Sequence, residues 1–412
     1  MNTINNWQHV LIYGYGREGK STEKFFQKHY PRITITIHED TENKDISNVD
    51  LTGYDALIKT PGIPPRKIPK DYKGIVTSNS DLFFNLISEE NHARVIGISG
   101  SKGKTSTTMF LCHCLNKLNK KAVTAGNIDT PLLDVLDDFQ SGAIDFVVAE
   151  LSSYQLDSLT KGPIITGFTS YFPEHLPWHE GAEKYEKAKR KLWTTEENTT
   201  LFVTQKYHAW ALNGENNSAN IIPALPIAEN LFPTMSAYNA QHMRENFGIV
   251  AGVLEYLELD KNIIPKAAKD FVGARHRLEM VGKFADRIWI NDSIATNPEA
   301  AQAGIMHYKD QLGAVILCGE TEGSNFTEFN AMLQTLDDIQ IIVVKSYNLG
   351  VDKQINMQNA VLVDTLKDAI DKALKLSPAG SVCLMACAGK SFDHYENYTK
   401  RGEEFCALVK NL

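Results

Sequence analysis

Short apolar runs rich in β-branched residues alternate with helical stretches along the chain, and this alternation limits the possible folds more than any other feature. Most of these runs are short and apolar, as expected of buried strands, and one of them, Ile33–Ile37, alternates isoleucine with threonine. The clearest runs are Val10–Tyr13, Ile33–Ile37, Arg94–Ile98, Phe146–Ala149, Ala314–Leu317, Ile341–Val344 and Val382–Met385. Strands that alternate with helices predict parallel sheets covered by helices, so we expect an α/β fold.

The composition is that of an ordinary globular protein. Of the 412 residues, 43% are hydrophobic and 22% are charged, and the net charge is -8. An acidic chain gains nothing from general attraction to nucleic acid or to an anionic membrane, so a phosphate ligand needs a local site. The sequence contains no apolar run near the ~18 residues of a membrane span and no signal-peptide pattern at its start. We therefore expect a cytoplasmic protein that binds neither nucleic acid nor membrane.

Six cysteines are scattered through the sequence: Cys112, Cys114, Cys318, Cys383, Cys387 and Cys406. Their spacing does not form the two paired motifs of a zinc site. In a cytoplasmic protein they are expected to be reduced and mostly buried thiols, not a disulfide framework.

The first glycine-rich loop, Gly14-x-Gly16-x-x-Gly19, follows a predicted strand and precedes a helical stretch. Glu39 and Asp40 stand near the end of the next strand. This is the layout of a dinucleotide-binding turn, in which a helix N-terminus faces a pyrophosphate. The loop predicts a nucleotide diphosphate ligand, and the alternative is a tight turn that only packs.

The second glycine-rich loop, Gly97–Thr105, also lies between a strand and a helix. Its backbone N–H groups can hold phosphates, Lys104 can reach the β- and γ-phosphates, and Thr105 can bind Mg²⁺. The strict motif has glycine where this chain has Ile98, so a glycine-rich turn with an incidental lysine is the alternative. Glu150 ends a later strand, where proteins with such loops place a second carboxylate for Mg²⁺.

Two histidines, His175 and His179, have the spacing of a zinc pair on a helix. Pro177 lies between them, so we expect no helix there and reject zinc. Glu174 and His175 remain candidate ligands or phosphate contacts. The charged segment that follows, 182–193, is predicted to be an amphipathic helix, and its spacing alone does not single out one lysine.

The two loops, together with the segment Glu150–Leu156, resemble those of the Mur ligases of peptidoglycan synthesis. The resemblance runs nearly from end to end. It also rests on Thr60–Pro64, Gly126–Ile128, Tyr185–Lys189, His242–Asn246, Gly273–Glu279, Asn291–Asn297 and Ser391–Asp393. Within the family, the chain is most similar to the member that adds glutamate to UDP-N-acetylmuramoyl-L-alanine.

The resemblance implies three domains, which the length permits at ~150 residues each. Residues 1–91 would be a Rossmann-like domain that binds the UDP part of the substrate. Residues 92–279 would be a central P-loop ATPase-like domain with a parallel sheet. Residues 280–412 would be a Rossmann-like domain for the amino acid and the nucleotide.

The resemblance also implies the site residues. Catalytic roles fall on Lys104, Lys189, His175 and Arg277. The nucleotide would be bound by Gly100, Ser101, Lys102, Gly103, Lys104, Thr105, Ser106, Asn246, Arg277 and Asp292. Mg²⁺ would be held by Thr105, Glu150, His175 and Lys189, with Lys189 as a carbamate. The substrates would contact Gly14, Tyr15, Gly16, Arg17, Asn127, Thr296, Ser391 and Phe392.

The implied reaction is an ATP- and Mg²⁺-dependent amide ligation by a monomer. The carboxylate of UDP-N-acetylmuramoyl-L-alanine attacks the γ-phosphate, and the amine of glutamate displaces phosphate from the acyl phosphate. Ile294 and the segment around Glu322 lack basic residues expected near the acceptor, so its identity and handedness stay open, with D-glutamate expected. The alternatives are a related ligase with another amino acid, a polyglutamylating ligase, which generally lacks a turn like Gly14–Gly19, and a non-catalytic NAD-type sensor.

Overall fold

The computed structural model describes residues 4–39, 46, 49–213, 218–233, 236–321 and 323–412, which form three sheets. The first sheet contains β1 (His9–Tyr13), β2 (Thr34–His38), β3 (Ala56–Lys59) and β4 (Ile75–Thr77). Its spatial order is β2-β1-β3-β4, and all neighbouring strands are parallel. The loop after β1, which holds the first glycine motif, therefore lies at the carboxyl edge of a central strand.

The second sheet is also fully parallel, in the order β10-β9-β8-β5-β7-β6. Its strands are β5 (Val95–Ser99), β6 (Ala122–Gly126), β7 (Phe146–Glu150), β8 (Ile165–Phe168), β9 (Thr200–Thr204) and β10 (Asn220–Ala224). The chain moves to opposite sides of β5 when it forms β7 and β8. Ligands of parallel sheets bind outside the carboxyl ends of strands at such a switch point, so the loop after β5 is favourably placed.

The third sheet differs from the expected parallel arrangement at one edge. Its strands are β11 (Glu279–Phe284), β12 (Arg287–Asp292), β13 (Leu312–Cys318), β14 (Gln340–Val344), β15 (Val361–Val363) and β16 (Val382–Ala388), in the order β11-β12-β16-β13-β14-β15. Strand β11 pairs antiparallel with β12. Ala285 and Asp286 join them and both have positive φ, which is the backbone of a tight hairpin turn. Ala-Asp is not a usual sequence for that turn, so the hairpin could not be recognised from the residue types.

Helices connect the strands and cover the sheets. They are α1 (Arg17–His29), α2 (Asn79–Leu86), α3 (Glu89–His92), α4 (Lys104–Lys117), α5 (Leu136–Gln140), α6 (Ser153–Asp157), α7 (Leu176–His179), α8 (Ala182–Thr194), α9 (His208–Leu212), α10 (Gln241–Tyr256), α11 (Ile264–Ala268), α12 (Pro298–Tyr308), α13 (Thr327–Leu333), α14 (Leu366–Leu376) and α15 (Tyr398–Lys410). None of these helices combines the length and apolarity that crossing a bilayer requires. All six cysteines are free and buried, as expected.

The chain forms two compact units. Residues 1–234 and 238–271 make the first unit, with the first two sheets, and residues 235–237 and 272–412 make the second, with the third sheet. The predicted α/β class is confirmed. The predicted domain boundaries at 91/92 and 279/280 stay predictions, and the second of them falls at the first residue of β11.

The first two sheets share one hydrophobic core, which explains why they form one unit. Phe83 of α2 stacks on Phe139 of α5 with ring centroids 6.3 Å apart, and both rings are fully buried. The same core includes Val10 of β1 and Val147 of β7. Burying a phenylalanine side chain contributes roughly 1.5–3 kcal/mol, so this contact holds the two sheets together strongly.

A buried carboxyl group crosses the same junction. Glu18 of α1 accepts a hydrogen bond of 2.7 Å at Oε1 from the side-chain amide of Gln155 in α6. Its Oε2 has no hydrogen-bond partner among the described residues. Burial is the main cause that raises the pKa of Glu18 to about 7.

We predict that Glu18→Gln changes the pH dependence of stability. The folded-state pKa of about 7 lies above the reference value of 4.5, so the folded protein binds this proton more tightly than the unfolded chain does. The stabilising contribution is complete below about pH 4.5 and is lost as the pH rises to about 7. Between these values Glu18→Gln should gain about 3 kcal/mol relative to wild type in urea unfolding. The exposed Glu90→Gln serves as control, and a difference that is flat with pH would contradict the burial argument.

Candidate active site

The loop after β5 is built around two glycines that a side chain would disrupt. Gly100 has φ +142, and a Cβ there would lie 2.1 Å from the hydroxyl of Thr169. Gly103 has φ +86, and a Cβ there would lie 2.2 Å from the side-chain amide of Asn246 in α10. Both glycines therefore permit a close approach as well as an unusual backbone conformation. The predicted nucleotide residue Asn246 lies directly against the loop.

Side chains and backbone from the end of β8 and from α8 hold this loop in place. The hydroxyl of Ser101 lies 2.8 Å from the backbone oxygen of Phe172 and 2.8 Å from the hydroxyl of Tyr185. The carbonyl of Lys102 accepts a hydrogen bond of 2.6 Å from Thr169. A loop fixed on both sides is preorganised for a ligand.

Helix α4 begins directly after the loop. Gly103 is its N-cap, and Lys104 is its first residue, followed by Thr105 and Ser106. The first N–H groups of a helix have no partner within the helix and carry partial positive charge, which suits an anion. The Nζ of Lys104 donates 2.9 Å to the carbonyl of Ser101, so this ammonium stands beside the same helix end.

Lys189 of α8 is buried beneath the loop. Its side chain is 2% exposed, and its Nζ donates to the carbonyl of Gly100 at 2.7 Å and to the hydroxyl of Ser99 at 3.3 Å. Burial, followed by the positive charge of Lys104, lowers the pKa of Lys189 well below its usual value. The site thus favours a neutral amine at Lys189.

Glu150 ends β7 with a carboxylate oxygen that is not used by the protein. Its Oε1 accepts 2.7 Å from the side-chain amide of Asn127, while its buried Oε2 has no partner among the described residues. An interior carboxylate oxygen left in this way suits a hard cation such as Mg²⁺. Within the described ranges no three His, Cys, Asp or Glu side chains converge. A cation here would therefore need Thr105, phosphate or water oxygens as further ligands.

The segment from His175 to His179 corrects one sequence prediction. Helix α7 forms there even though Pro177 lies within it, because proline in the first turn loses no helical hydrogen bond. His175 precedes the helix with φ +55, whereas Nε2 of His179 is 2.9 Å from the hydroxyl of Ser153. A zinc site formed by His175 and His179 on one helix is still rejected, because His175 lies before the helix and only His179 lies within it.

His175 and Glu174 lie near the cations of the loop. Burial, opposed by Glu174 and aided by Lys104 and Lys189, lowers the pKa of His175. A neutral imidazole offers a lone pair to a cation or a proton. Glu174 forms an ion pair of 3.1 Å with Lys102, a contact that the sequence did not predict.

In the first glycine motif, the side chains of two predicted substrate residues, Tyr15 and Arg17, contact other protein groups. Gly14 has φ +90, and a Cβ there would collide with Thr60 at 2.1 Å. The guanidinium of Arg17 donates to the carbonyls of Asn127 at 3.0 Å and Asp129 at 3.1 Å. Tyr15 donates to the carboxylate of Glu23. Arg17 thus joins the loop after β1 to the loop after β6, and both loops carry predicted substrate residues.

In the second unit, a buried arginine joins the two predicted acceptor segments. Arg401 of α15 donates to the backbone oxygens of Ser293 at 2.9 Å and Gly389 at 3.1 Å. These contacts bring the segment of Thr296 next to the segment of Ser391. Thr296 is half-buried, Ser391 is buried and Phe392 is 63% exposed.

Two further predicted residues meet at the turn before β11: Arg277 lies in this turn, and Asp292, the last residue of β12, contacts it. Asp292 accepts 3.1 Å from the backbone N–H of Leu278, and burial raises its pKa to about 6. Arg277 is exposed and lies between His276 and Leu278, which both have positive φ. Glu322 lies outside the described residues.

Comparisons with known proteins agree with this arrangement. The chain is 27% identical to the UDP-N-acetylmuramoylalanine–D-glutamate ligase of Francisella tularensis subsp. mediasiatica. The alignment covers 98% of this chain and 96% of that ligase. It is 28% identical to the ligase of the same name from F. tularensis subsp. novicida, with the same coverage. Residues 98–231 match the Mur ligase middle domain. The chain carries a Mur ligase middle domain. The predicted resemblance to the Mur ligases is confirmed.

Solved structures show the same fold at lower identity. The UDP-N-acetylmuramate–alanine ligase of Thermotoga maritima superposes with a TM-score of 0.58 at 16% identity, covering 98% of this chain and 99% of that one. The MurF ligase of T. maritima, solved in complex with ADP, superposes with a TM-score of 0.58 at 15% sequence identity. This superposition covers 98% of this chain and 94% of that one. The predicted fold is confirmed, and the three sheets are consistent with the three predicted domains.

Sequence reasoning missed two residues of the Mur ligase middle domain that hold the loop after β5. These residues are Tyr185 and Thr169, which contact Ser101 and Lys102 of the loop. Thr169 follows β8 at the edge where β5 ends, so its position after a central strand was a usable signal. Tyr185 lies in a charged helix, and its spacing to Lys189 was the only sign that it faces inward.

We predict that Gly103→Ala damages nucleotide binding more than stability. Its positive φ costs alanine about 1–2 kcal/mol, and its Cβ would displace Asn246. Gly142→Ala is the matched control, because Gly142 has φ +77 and nothing within 4 Å of a Cβ. Both variants should lose similar stability in urea. Only Gly103→Ala should weaken ADP binding in calorimetry, by about tenfold or more, equal to ~1.4 kcal/mol. Equal ADP affinity in the two variants would exclude a nucleotide at this loop.

Proposed function

We propose that the protein is an ATP-dependent ligase that joins D-glutamate to UDP-N-acetylmuramoyl-L-alanine in peptidoglycan precursor synthesis. The observation that carries the proposal is the buried Lys189 beneath the loop that also presents Lys104. The near full-length similarity to ligases with that name supports the choice of substrates. The cytoplasmic location and the monomeric state remain predictions.

The loop and α4 supply what phosphoryl transfer requires. Most of its barrier is lowered by positioning and by charge neutralisation. In the proposal, the start of α4 and Lys104 bind the β- and γ-phosphates, while Asn246 borders the nucleotide. The substrate carboxylate then attacks the γ-phosphorus and ADP leaves. Arg277 and Asp292 are also proposed nucleotide contacts.

The donor set of the first unit fits Mg²⁺. Glu150 has an unused interior oxygen, and Thr105 carries a hydroxyl in the first turn of α4. When bound, Mg²⁺ would neutralise phosphate charge and polarise the γ-phosphate. Glu150, Thr105, His175 and Lys189 are the proposed ligands.

Lys189 fits this set only as a carbamate. A protonated lysine would repel a metal ion, and a neutral amine is a poor ligand for Mg²⁺. A neutral amine is, however, the form that adds CO₂. The product is an anion with two oxygens on a long side chain, and it would add negative charge near Lys104.

The acceptor contacts are proposed in the second unit, at Thr296, Ser391 and Phe392. In the Mur ligase that adds glutamate, a basic residue is expected in the segment around Glu322, where it would bind the side-chain carboxylate of the acceptor. This chain has no basic residue in the segment 319–323. Lys390 offers a replacement, because its backbone pairs with Glu320 through two hydrogen bonds of 2.8 Å. We therefore add Lys390 as the contact for the side-chain carboxylate of glutamate. A ligase for another amino acid is the alternative.

The decisive test of the function is a matrix of phosphate-release assays. UDP-N-acetylmuramoyl-L-alanine should support phosphate release only with an amino acid present, and D-glutamate should be the best one. Lys390→Met should raise the KM for D-glutamate, whereas Lys400→Met, at a surface ion pair, should not. Efficient use of a neutral amino acid with glutamate inert would favour the alternative ligase. Phosphate release without either substrate would refute both.

We predict that Lys189→Ala is nearly inactive and is partly rescued by a small carboxylate such as acetate. The variant removes the proposed carbamate, and kcat should fall by more than about tenfold, or ~1.4 kcal/mol in barrier height. Lys187→Ala is the control, since Lys187 is exposed on the same helix, and it should keep wild-type activity. Urea unfolding of both variants checks the fold. Equal losses in the two variants, or no rescue of a folded Lys189→Ala protein, would count against the carbamate.

A further inference from the structure

The second unit contains a cavity of about 220 Å³ that the proposed reaction does not use. It lies at the carboxyl ends of β13 and β14 and at the start of α14. Its lining includes Cys318, Arg401, Asp393, Thr365 and Tyr347. This volume is below the ~300–1,000 Å³ of pockets for drug-sized ligands, so the cavity suits only small molecules.

Two cysteines meet beside this cavity. Cys318 ends β13, and Cys387 is the next-to-last residue of the neighbouring strand β16. The register pairs Cys318 with Ala388, one residue from Cys387. The register shifts between Ile316 and Cys318, where β16 has one more residue than β13, and this bulge puts Cys387 on the same face of the sheet as Cys318. Neighbouring strands lie ~4.8 Å apart, and disulfides join Cα atoms ~4.4–6.8 Å apart. Both side chains belong to the same core cluster.

A buried positive charge lies beside the pair. Arg401 is 1% exposed, and its Nη1 has no hydrogen-bond partner among the described residues. The neighbouring Cys387, and then the charge of Arg401, lower the pKa of Cys318 against the effects of burial and of Asp393. The pKa values of the other five thiols are raised. These surroundings favour a thiolate at Cys318 more than at the other five cysteines.

We propose that Cys318 and Cys387 are a dithiol that hydrogen peroxide converts to a disulfide. The Cys318 thiolate attacks one peroxide oxygen, the O–O bond breaks, and the departing hydroxide takes a proton to become water. The sulfur of Cys387 then attacks the resulting sulfenic acid. An S–S bond forms, the S–O bond breaks, and the Cys387 proton leaves with the hydroxide as a second water. Two thiols are oxidised and one peroxide is reduced.

The disulfide would change the neighbouring acceptor segment. Disulfide formation removes the Cys318 thiolate, which faces Arg401. Arg401 in turn joins Ser293 and Gly389 through their backbone oxygens. Cys387 is four residues before Ser391. We therefore expect a higher KM for D-glutamate after oxidation, and this consequence alone rests on the proposed function.

The test treats the full-length protein with hydrogen peroxide and follows its thiols. Wild type should lose two of its six thiols, give a Cys318–Cys387 linked peptide by mass spectrometry, and recover with dithiothreitol. Cys387→Ser should hold Cys318 as a sulfenic acid that dimedone labels. Cys383→Ser, a buried thiol on the same strand, should behave as wild type. Cys318 should react about tenfold faster than Cys383 or Cys406.

Oxidation of Cys383 or Cys406 at the rate of Cys318 would overturn the proposal, as would loss of the same two thiols in Cys318→Ser. Peptide mapping of wild type gives this answer even if a variant fails to fold. A linked peptide with an unchanged KM would overturn only the effect on the acceptor segment. The thiol measurements do not depend on catalysis. If the reduced protein had no ligase activity, this result would contradict the proposed function, and the test of the dithiol would still be valid.

Discussion

The contact between the amine of Lys189 and the carbonyl of Gly100 is the interaction on which the candidate active site depends. Removing an ammonium from water is costly, and this site reduces that cost by favouring the neutral amine. Gly100 can turn its carbonyl towards the amine because it adopts a positive φ. Helix α8 can bury the lysine because Tyr185, Ala188 and Leu192 form an apolar face around it. Loop conformation, helix burial and amine chemistry are thus linked.

Most of the strands were predictable because their apolar runs are buried on both faces, whereas β2, which is not buried, was predictable from its alternating β-branched residues. The predicted strand Phe146–Ala149 appears as Phe146–Glu150 with its last four residues buried. The two errors have a common cause in local backbone chemistry. Proline was expected to prevent a helix at 176–179, but in a first turn it is compatible with one. The β11–β12 hairpin turns through Ala285 and Asp286, which the usual turn patterns do not include.

Site residues were predictable where their position relative to a strand carries information. Gly103 and Lys104 follow β5, and Glu150 ends β7, so the parallel-sheet rule alone brings them to one edge. Lys189 lies among other lysines of one helix, and only the resemblance singled it out. Arg401 was missed altogether, because an arginine on a charged carboxyl-terminal helix has no sequence sign of burial. Its role depends on contacts between segments far apart in sequence.

The two compact units each bury a basic side chain, and the chemistry of the two groups explains their different surroundings. A lysine can lose its proton, so Lys189 needs only carbonyl and hydroxyl acceptors and can remain beside Lys104. An arginine keeps its proton at any physiological pH. Arg401 must therefore be balanced by anionic or acceptor groups, and two backbone carbonyls and the serine hydroxyl at 293 satisfy only part of its guanidinium. The neighbouring Cys387, and then the charge of Arg401, lower the pKa of Cys318, while burial and Asp393 oppose this shift. The arginine that joins two loops thus also affects the chemistry of a cysteine.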